Sequence, residues 1–205
     1  MKIGIVVDGL GEFKALPEIR AKLCLRPGDR LLDPAHARLQ PKSAPDQIAK
    51  SALSRVNMLK KRGAEMVLLL IDREDREDCA PEFAQGIEAA LEGMGEQVHV
   101  VVKDRKFENW LIADPAGLAR LKGKFKPTKA FENRVRPNKA DNVADAKDLL
   151  DQICVKGKGS YHKTQDPPRI LEKMDITEVG KNSRSFRRFL RLLGDKRYRG
   201  QSKKP

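Results

Sequence analysis

Carboxylates gather at three places in this 205-residue chain, two of them where apolar runs end. Met66 to Ile71 are all apolar, and Asp72, Glu74, Asp75, Glu77 and Asp78 follow at once. Ile3, Ile5, Val6 and Val7 lead into Asp8-Gly9, with Glu12 close behind, and Glu108 stands beside Phe107, Trp110 and Leu111 in KFENWLIAD. A carboxylate withdrawn from water is costly unless a cation, a basic side chain or solvent compensates it. Mg²⁺ (or Mn²⁺) is the cation this pattern fits, because it takes a few carboxylate oxygens, keeps several waters and binds substrate phosphate. Asp72 and Glu74, spaced acid-x-acid at a strand end, can both reach one ion; Asp75 is a reserve ligand in the same turn, and Asp8 can complete the site or position a water. Such a constellation stabilises charge at a phosphodiester and orients a nucleophile. The opposing reading is a solvated loop whose acids pair with Arg73 and Arg76, with Asp8 capping its own loop through backbone N–H groups. Glu77 and Asp78 read as helix-entry acids ahead of Pro81.

The elements that must position these groups follow from hydrophobic spacing. Lys2–Asp8 reads as a first strand, and DGLGE as a tight loop into a helix from about Phe13 to Leu25. Arg30–Leu32 starts a second strand, and the prolines at 34, 41 and 45 mark loop. Asp46 caps a helix to about Arg62, with Ile48, Ala52, Val56 and Leu59 on one face. The apolar run Met66–Ile71 suits a strand buried on both sides. Pro81 opens a helix carrying Phe83, Ile87, Leu91 and Met94, and QVHVVVK is the next strand. This alternation predicts an α/β fold with a mainly parallel sheet, whose functional crevice lies beyond the carboxyl ends of the strands.

Beyond residue 104 the chain reads as basic and helical. Phe107, Trp110 and Leu111 share a helical face, which makes Trp110 core rather than a stacking platform. The segment 122–139 reads as basic surface, Asp141 as the cap of a helix over about 142–154, and 155–168 as a Gly/Lys-rich loop without the ending of a phosphate loop. Ser183 caps SFRRFLRLL, and residues 196–205 read as a basic flexible tail after one domain over 1–195.

The net charge of +13 is uneven: residues 1–100 carry 15 Lys/Arg against 16 Asp/Glu, and residues 101–205 carry 27 against 13. An acidic half joined to a basic half suits an enzyme that grips a polyanion with one part and does metal chemistry with the other. Lys124, Lys126, Lys129, Arg134, Arg136, Lys163, Arg184, Arg187, Arg188 and Arg191 are the residues expected to contact nucleic acid, DNA or RNA; a solvated basic face is the alternative for the helix arginines. No apolar run approaches the roughly 18 residues of a membrane span. Cys24, Cys79 and Cys154 are scattered and read as reduced thiols of a cytoplasmic protein.

A strand ending in acid-glycine and a later strand ending in acid-x-acid, in an α/β frame, resemble the topoisomerase–primase (TOPRIM) fold. VVDGLGEFKALPEI, LLLIDREDREDC, KFENWLIAD and the late YHKT and SFRRFLRLL resemble, over nearly the whole chain, the TOPRIM-like family catalogued as domain of unknown function family 4276. The resemblance implies a TOPRIM-like sheet with helical C-terminal additions. It implies Asp8 and Glu12 as catalytic acids, Asp72 and Glu74 as the Mg²⁺ pair, and Glu108 as a further ligand of the kind used by OLD-type nucleases. Asp8 stands where TOPRIM domains carry glutamate, and Glu74 where they carry aspartate. An ATPase partner and a role in phage defence are implied by the same likeness. The expected function is Mg²⁺-dependent phosphodiester cleavage of nucleic acid. The alternative is a non-catalytic protein that keeps the fold and binds nucleic acid or docks on a partner.

Overall fold

Alternation along three strands divides the apolar residues into two layers. In the computed structural model, which describes residues 1–198, β1 (Lys2–Val7), β4 (Met66–Asp72) and β5 (His99–Lys103) form the heart of a parallel sheet. Two short strands, β2 (Arg30–Leu31) and β3 (Ala35–His36), both pair with β1, giving the order β2-β1-β4-β5 with β3 beside β1. Parallel neighbours need long crossovers, and the helices between the strands supply them.

On one face Val6, Leu69, Ile71, Val100 and Val102 pack with α2 (Pro45–Lys61) and α3 (Ala80–Glu92) through Ile48, Val56, Leu59, Phe83 and Ile87. On the other, Ile5, Val7, Leu68, Leu70 and Val101 meet the helices of the second half. These are α4 (Phe107–Leu111), α5 (Pro115–Arg120), α6 (Lys129–Val135), α7 (Ala146–Gln152), α8 (Asp166–Lys173), α9 (Ile176–Asn182) and α10 (Arg184–Leu192). Trp110, fully buried, is the hub of this layer: it stacks on Phe189 with ring centroids 5.3 Å apart and meets Phe186 edge-on. The expected parallel α/β fold with helical additions is what the chain forms.

Several boundaries differ from the spacing-based reading. The expected helix over 13–25 is instead α1 (Leu10–Ala15) followed by a 3₁₀ segment, Leu16–Lys22, in which Pro17 falls at the start. The proline-rich stretch read as loop contributes β3. Asp141 does not cap α7, which begins at Ala146; buried, it accepts from Ser185 N–H at 2.9 Å and from the Ser183 and Ser185 hydroxyls, holding the start of α10. Burial raises the Asp141 pKa, and these hydrogen bonds oppose the rise. Ser183 caps α10 as expected, its hydroxyl accepting from Phe186 N–H. The basic stretch 122–139 is not all surface, since Phe125, Phe131 and Val135 are buried. Of the expected tail, Lys196–Tyr198 form a 3₁₀ turn with Tyr198 buried, while 199–205 lie outside the described residues.

Candidate metal centre

Three adjacent parallel strands end side by side, and each ends in a charge. Asp72 and Lys103 are partners in the β4–β5 register, so their side chains leave neighbouring strands on the same face, the one lined by Leu68, Leu70 and Val101. Asp8 follows β1 directly, and Glu12 comes from the first turn of α1. Asp8, Glu12 and Asp72 each offer a carboxylate oxygen within 4.8 Å of the others. The Lys103 ammonium sits among them, 2.8 Å from Asp8 Oδ1 and 3.0 Å from Asp72 Oδ1, and also donates to Glu12 Oε1. Lys103 and Glu12 are 0% and 3% exposed.

The backbone fixes this geometry. The Asp72 N–H donates to Asp8 Oδ2 at 3.1 Å, which locks the two strand ends together and leaves Asp8 Oδ1 aimed at the centre. Asp8 thus takes a backbone amide, but from β4 and not from its own loop. Gly11 in α1 lies against the loop that precedes α8: a Cβ there would fall 2.3 Å from the Lys163 carbonyl oxygen. That close approach brings α1, and with it Glu12, against the segment carrying Tyr161. The Tyr161 phenol is buried, lies within electrostatic reach of Glu108 and Glu12, and completes no hydrogen bond.

Charge in the cluster is not balanced. Burial first, and then the neighbouring Asp8, raise the Glu12 pKa well above the usual carboxyl range, against the pull of Lys103. Burial pushes Asp72 up to about 7, with Lys103 opposing and Asp8 adding to the rise. Burial alone would lower Lys103, yet Asp72, Asp8 and Glu12 together raise its pKa well above the usual lysine value. Burial likewise raises the Tyr161 phenol, and Glu108 adds to it. Glu12 Oε2 is buried with no hydrogen-bond partner, so the donor set has an oxygen to spare. A group of hard oxygen donors with surplus negative charge fits a divalent cation. The triad Asp8, Glu12 and Asp72 can hold a metal ion.

The ligand set differs from the acid-x-acid expectation. Glu74 and Asp75 do not join the three converging carboxylates. The strand stops at Asp72, and Glu74 takes a left-handed conformation (φ 53°), its N–H donating to the Arg105 carbonyl at 2.7 Å. The two-residue alternation that would put Glu74 beside Asp72 is broken at that point, and Asp75 is exposed. Glu12, read as a catalytic acid, is instead a third member of the cluster. Glu108 is buried next to it and adds to the repulsion that raises Asp72, but lies outside the triad itself. The pairing alternative holds for the rest of the acidic run in part: Arg76 pairs with Asp78 at 2.6 Å, and Arg73 with Asp104 at 2.9 Å.

Most of KFENWLIAD is structural. Asn109 donates to the Ala140 and Val143 carbonyls, Trp110 Nε1–H to the Ser185 hydroxyl, and Asp114 accepts from Asp175 N–H. The residue that sequence reasoning missed is Lys103. Its signal was the one that singled out Asp72, a charge ending an apolar parallel strand, and the two strands are neighbours.

The expected nucleic-acid contacts divide by their partners. Lys124 is turned inward, donating to the Ser160 carbonyl at 2.8 Å and facing Asp166 at 3.3 Å. Arg134 pairs with Asp145 at 2.6 Å, Lys129 with Glu132 at 3.3 Å and Arg136 with Glu178 at 3.9 Å. Arg187 donates to the Gly180 carbonyl and to Asn138. Arg188 and Arg191 are half-buried, while Lys126, Lys163 and Arg184 are exposed. Among the described residues no helix is long and apolar enough to cross a membrane.

The model of a family described as Domain of unknown function (DUF4276) matches residues 7–194, and the chain belongs to that family. No curated protein and no solved structure matches it.

Proposed function

For a DUF4276 chain built in this way, we propose Mg²⁺- or Mn²⁺-dependent cleavage of phosphodiester bonds in nucleic acid, on a TOPRIM-like sheet. One observation carries the reading: carboxylates from the ends of β1 and β4 and from α1 converge where a parallel sheet places its functional crevice, with the buried Glu12 Oε2 still without a partner. Asp8, Glu12 and Asp72 would hold the ion, which when bound supplies Lewis-acid stabilisation of charge at the phosphoryl oxygens. Asp8 is held in place by the Asp72 amide, and Glu12, whose proton is retained to higher pH than usual, is the group suited to exchange a proton with an attacking water. Glu108 and the Tyr161 phenol wall the site on the side of the C-terminal layer. The basic second half, with Lys126, Lys163 and Arg184 exposed on it, would bind flanking phosphates. A place in phage defence beside an ATPase belongs to this proposal through the TOPRIM and OLD-type likeness alone.

The test is cleavage of single- and double-stranded DNA and RNA by purified protein with Mn²⁺, with EDTA, and with Asp72→Asn. Metal-dependent cleavage that drops at least a hundredfold in the variant supports the proposal; equal activity in both proteins refutes it. A second reading is favoured by Lys103, whose ion pairs give the cluster a structural partner: a protein that keeps the fold and binds nucleic acid, or a partner, without chemistry. It expects salt-sensitive binding that survives EDTA and substitution of Asp8 and Asp72.

A further inference from the structure

Lys103 occupies the place that a divalent ion would need. Its ammonium lies at the focus of Asp8 Oδ1, Asp72 Oδ1 and Glu12 Oε1, fully buried. The Asp8 and Asp72 contacts of 2.8 and 3.0 Å suit an ammonium, whereas Mg²⁺ draws its oxygens in to about 2.0–2.1 Å. Both cations cannot share that centre. A cluster selected only for stability would match its charges, yet three carboxylates surround one ammonium and Glu12 Oε2 is left without a partner. The mismatch is what one expects where a monovalent group keeps a place for a divalent one.

We propose that Lys103 is a tethered counter-cation: it closes the triad in the ion-free protein, and a divalent ion enters only by exchange with it. This rests on the reading of the triad as an ion site and adds its regulation. Because the ammonium is attached to β5, it competes at a high effective concentration and weakens the apparent affinity for any ion. The exchange moves one charged ammonium out of the cluster toward the open crevice, still protonated, so no proton is transferred. It also frees a cation at the strand ends, next to where an anionic substrate would lie.

The probe is Mn²⁺ itself, titrated by calorimetry into the wild type and Lys103→Met, together with acylation of wild-type lysines by an amine-reactive ester, mapped by mass spectrometry. The expected result is at least tenfold tighter Mn²⁺ binding in Lys103→Met. Lys103 of the wild type should be protected from acylation without ion and become labelled at saturating Mn²⁺. If the wild type binds Mn²⁺ and Lys103→Met binds it no more tightly, the exchange is overturned while the ion site stands. If neither protein binds Mn²⁺, the ion site falls, and the exchange with it. Should Lys103→Met fail to fold, acylation of the wild type decides alone: continued protection of Lys103 in the Mn²⁺-bound protein overturns the proposal.

Discussion

Glu12→Gln is expected to stabilise the ion-free protein at pH 8, although it removes a group from the proposed site. The Glu12 carboxyl is 3% exposed, shares one ammonium with two other carboxylates and has an oxygen without a partner. Its pKa is raised well above 4.5 by burial and by Asp8. Near or below pH 4.5 it is protonated both folded and unfolded, so the stability linked to its proton is fully present. As pH rises, the unfolded chain ionises first and that stability is lost, down to a floor reached above the folded pKa. Glutamine still accepts from Lys103 but never ionises, so it avoids that loss. One pKa unit is worth about 1.4 kcal/mol. Against the gain stands the lost charge assistance in the Lys103 hydrogen bond, about 1–2 kcal/mol. We therefore expect a net gain of about 1–3 kcal/mol at pH 8, or about 3–8 °C in Tm for a chain of this size, shrinking toward pH 5. Urea unfolding of both proteins in EDTA at pH 5 and pH 8 measures it. A loss of stability at pH 8, or a difference that does not change with pH, would refute the reasoning, because it would make the Glu12–Lys103 pair a net stabiliser. A gain would mark Glu12 as a residue kept at the expense of stability, which is characteristic of functional groups.

Asp72, with its pKa near 7, must lose its proton before it can bind an ion, so Mn²⁺ affinity should climb between pH 6 and 8; calorimetric titrations giving a constant affinity across that range would contradict the assignment. Gly11→Ala should destabilise the fold by about 1–3 kcal/mol in urea, since its methyl group would strike the Lys163 carbonyl 2.3 Å away. Unchanged stability would mean that the 163 loop moves freely from α1. If nucleic acid lies on the basic half, neutralising Lys126, Lys163 and Arg184 together should flatten the dependence of log affinity on log salt by about two to three. Neutralising Arg134 and Arg187, already tied to Asp145, Gly180 and Asn138, should change that slope less. A larger effect from the tied pair would reverse the assignment.

Period-two and helical apolar spacing made the sheet and its α2 and α3 layer legible, because Val6, Leu69 and Ile48 each had a single face to bury. The charges ending two apolar strands likewise pointed to Asp8 and Asp72. What spacing could not supply was the join between elements. Lys103 becomes a site residue only through its register with Asp72, and register is a property of two strands that neither encodes alone. Glu74 misled for a local reason: acid-x-acid implies a shared face only while the strand continues, and here the backbone turns left-handed at the second acid. Asp141 looked like the cap of the helix next to it, but a buried carboxylate satisfies whichever amides the tertiary fold presents, and these were at Ser185, 44 residues along the chain.

The most direct test of the central claim is anomalous diffraction from a crystal soaked with Mn²⁺. The account predicts a peak bound by Asp8, Glu12 and Asp72, with the Lys103 ammonium displaced from among them. A fully soaked crystal in which Lys103 still joins the three carboxylates, and any Mn²⁺ lies elsewhere, would contradict it.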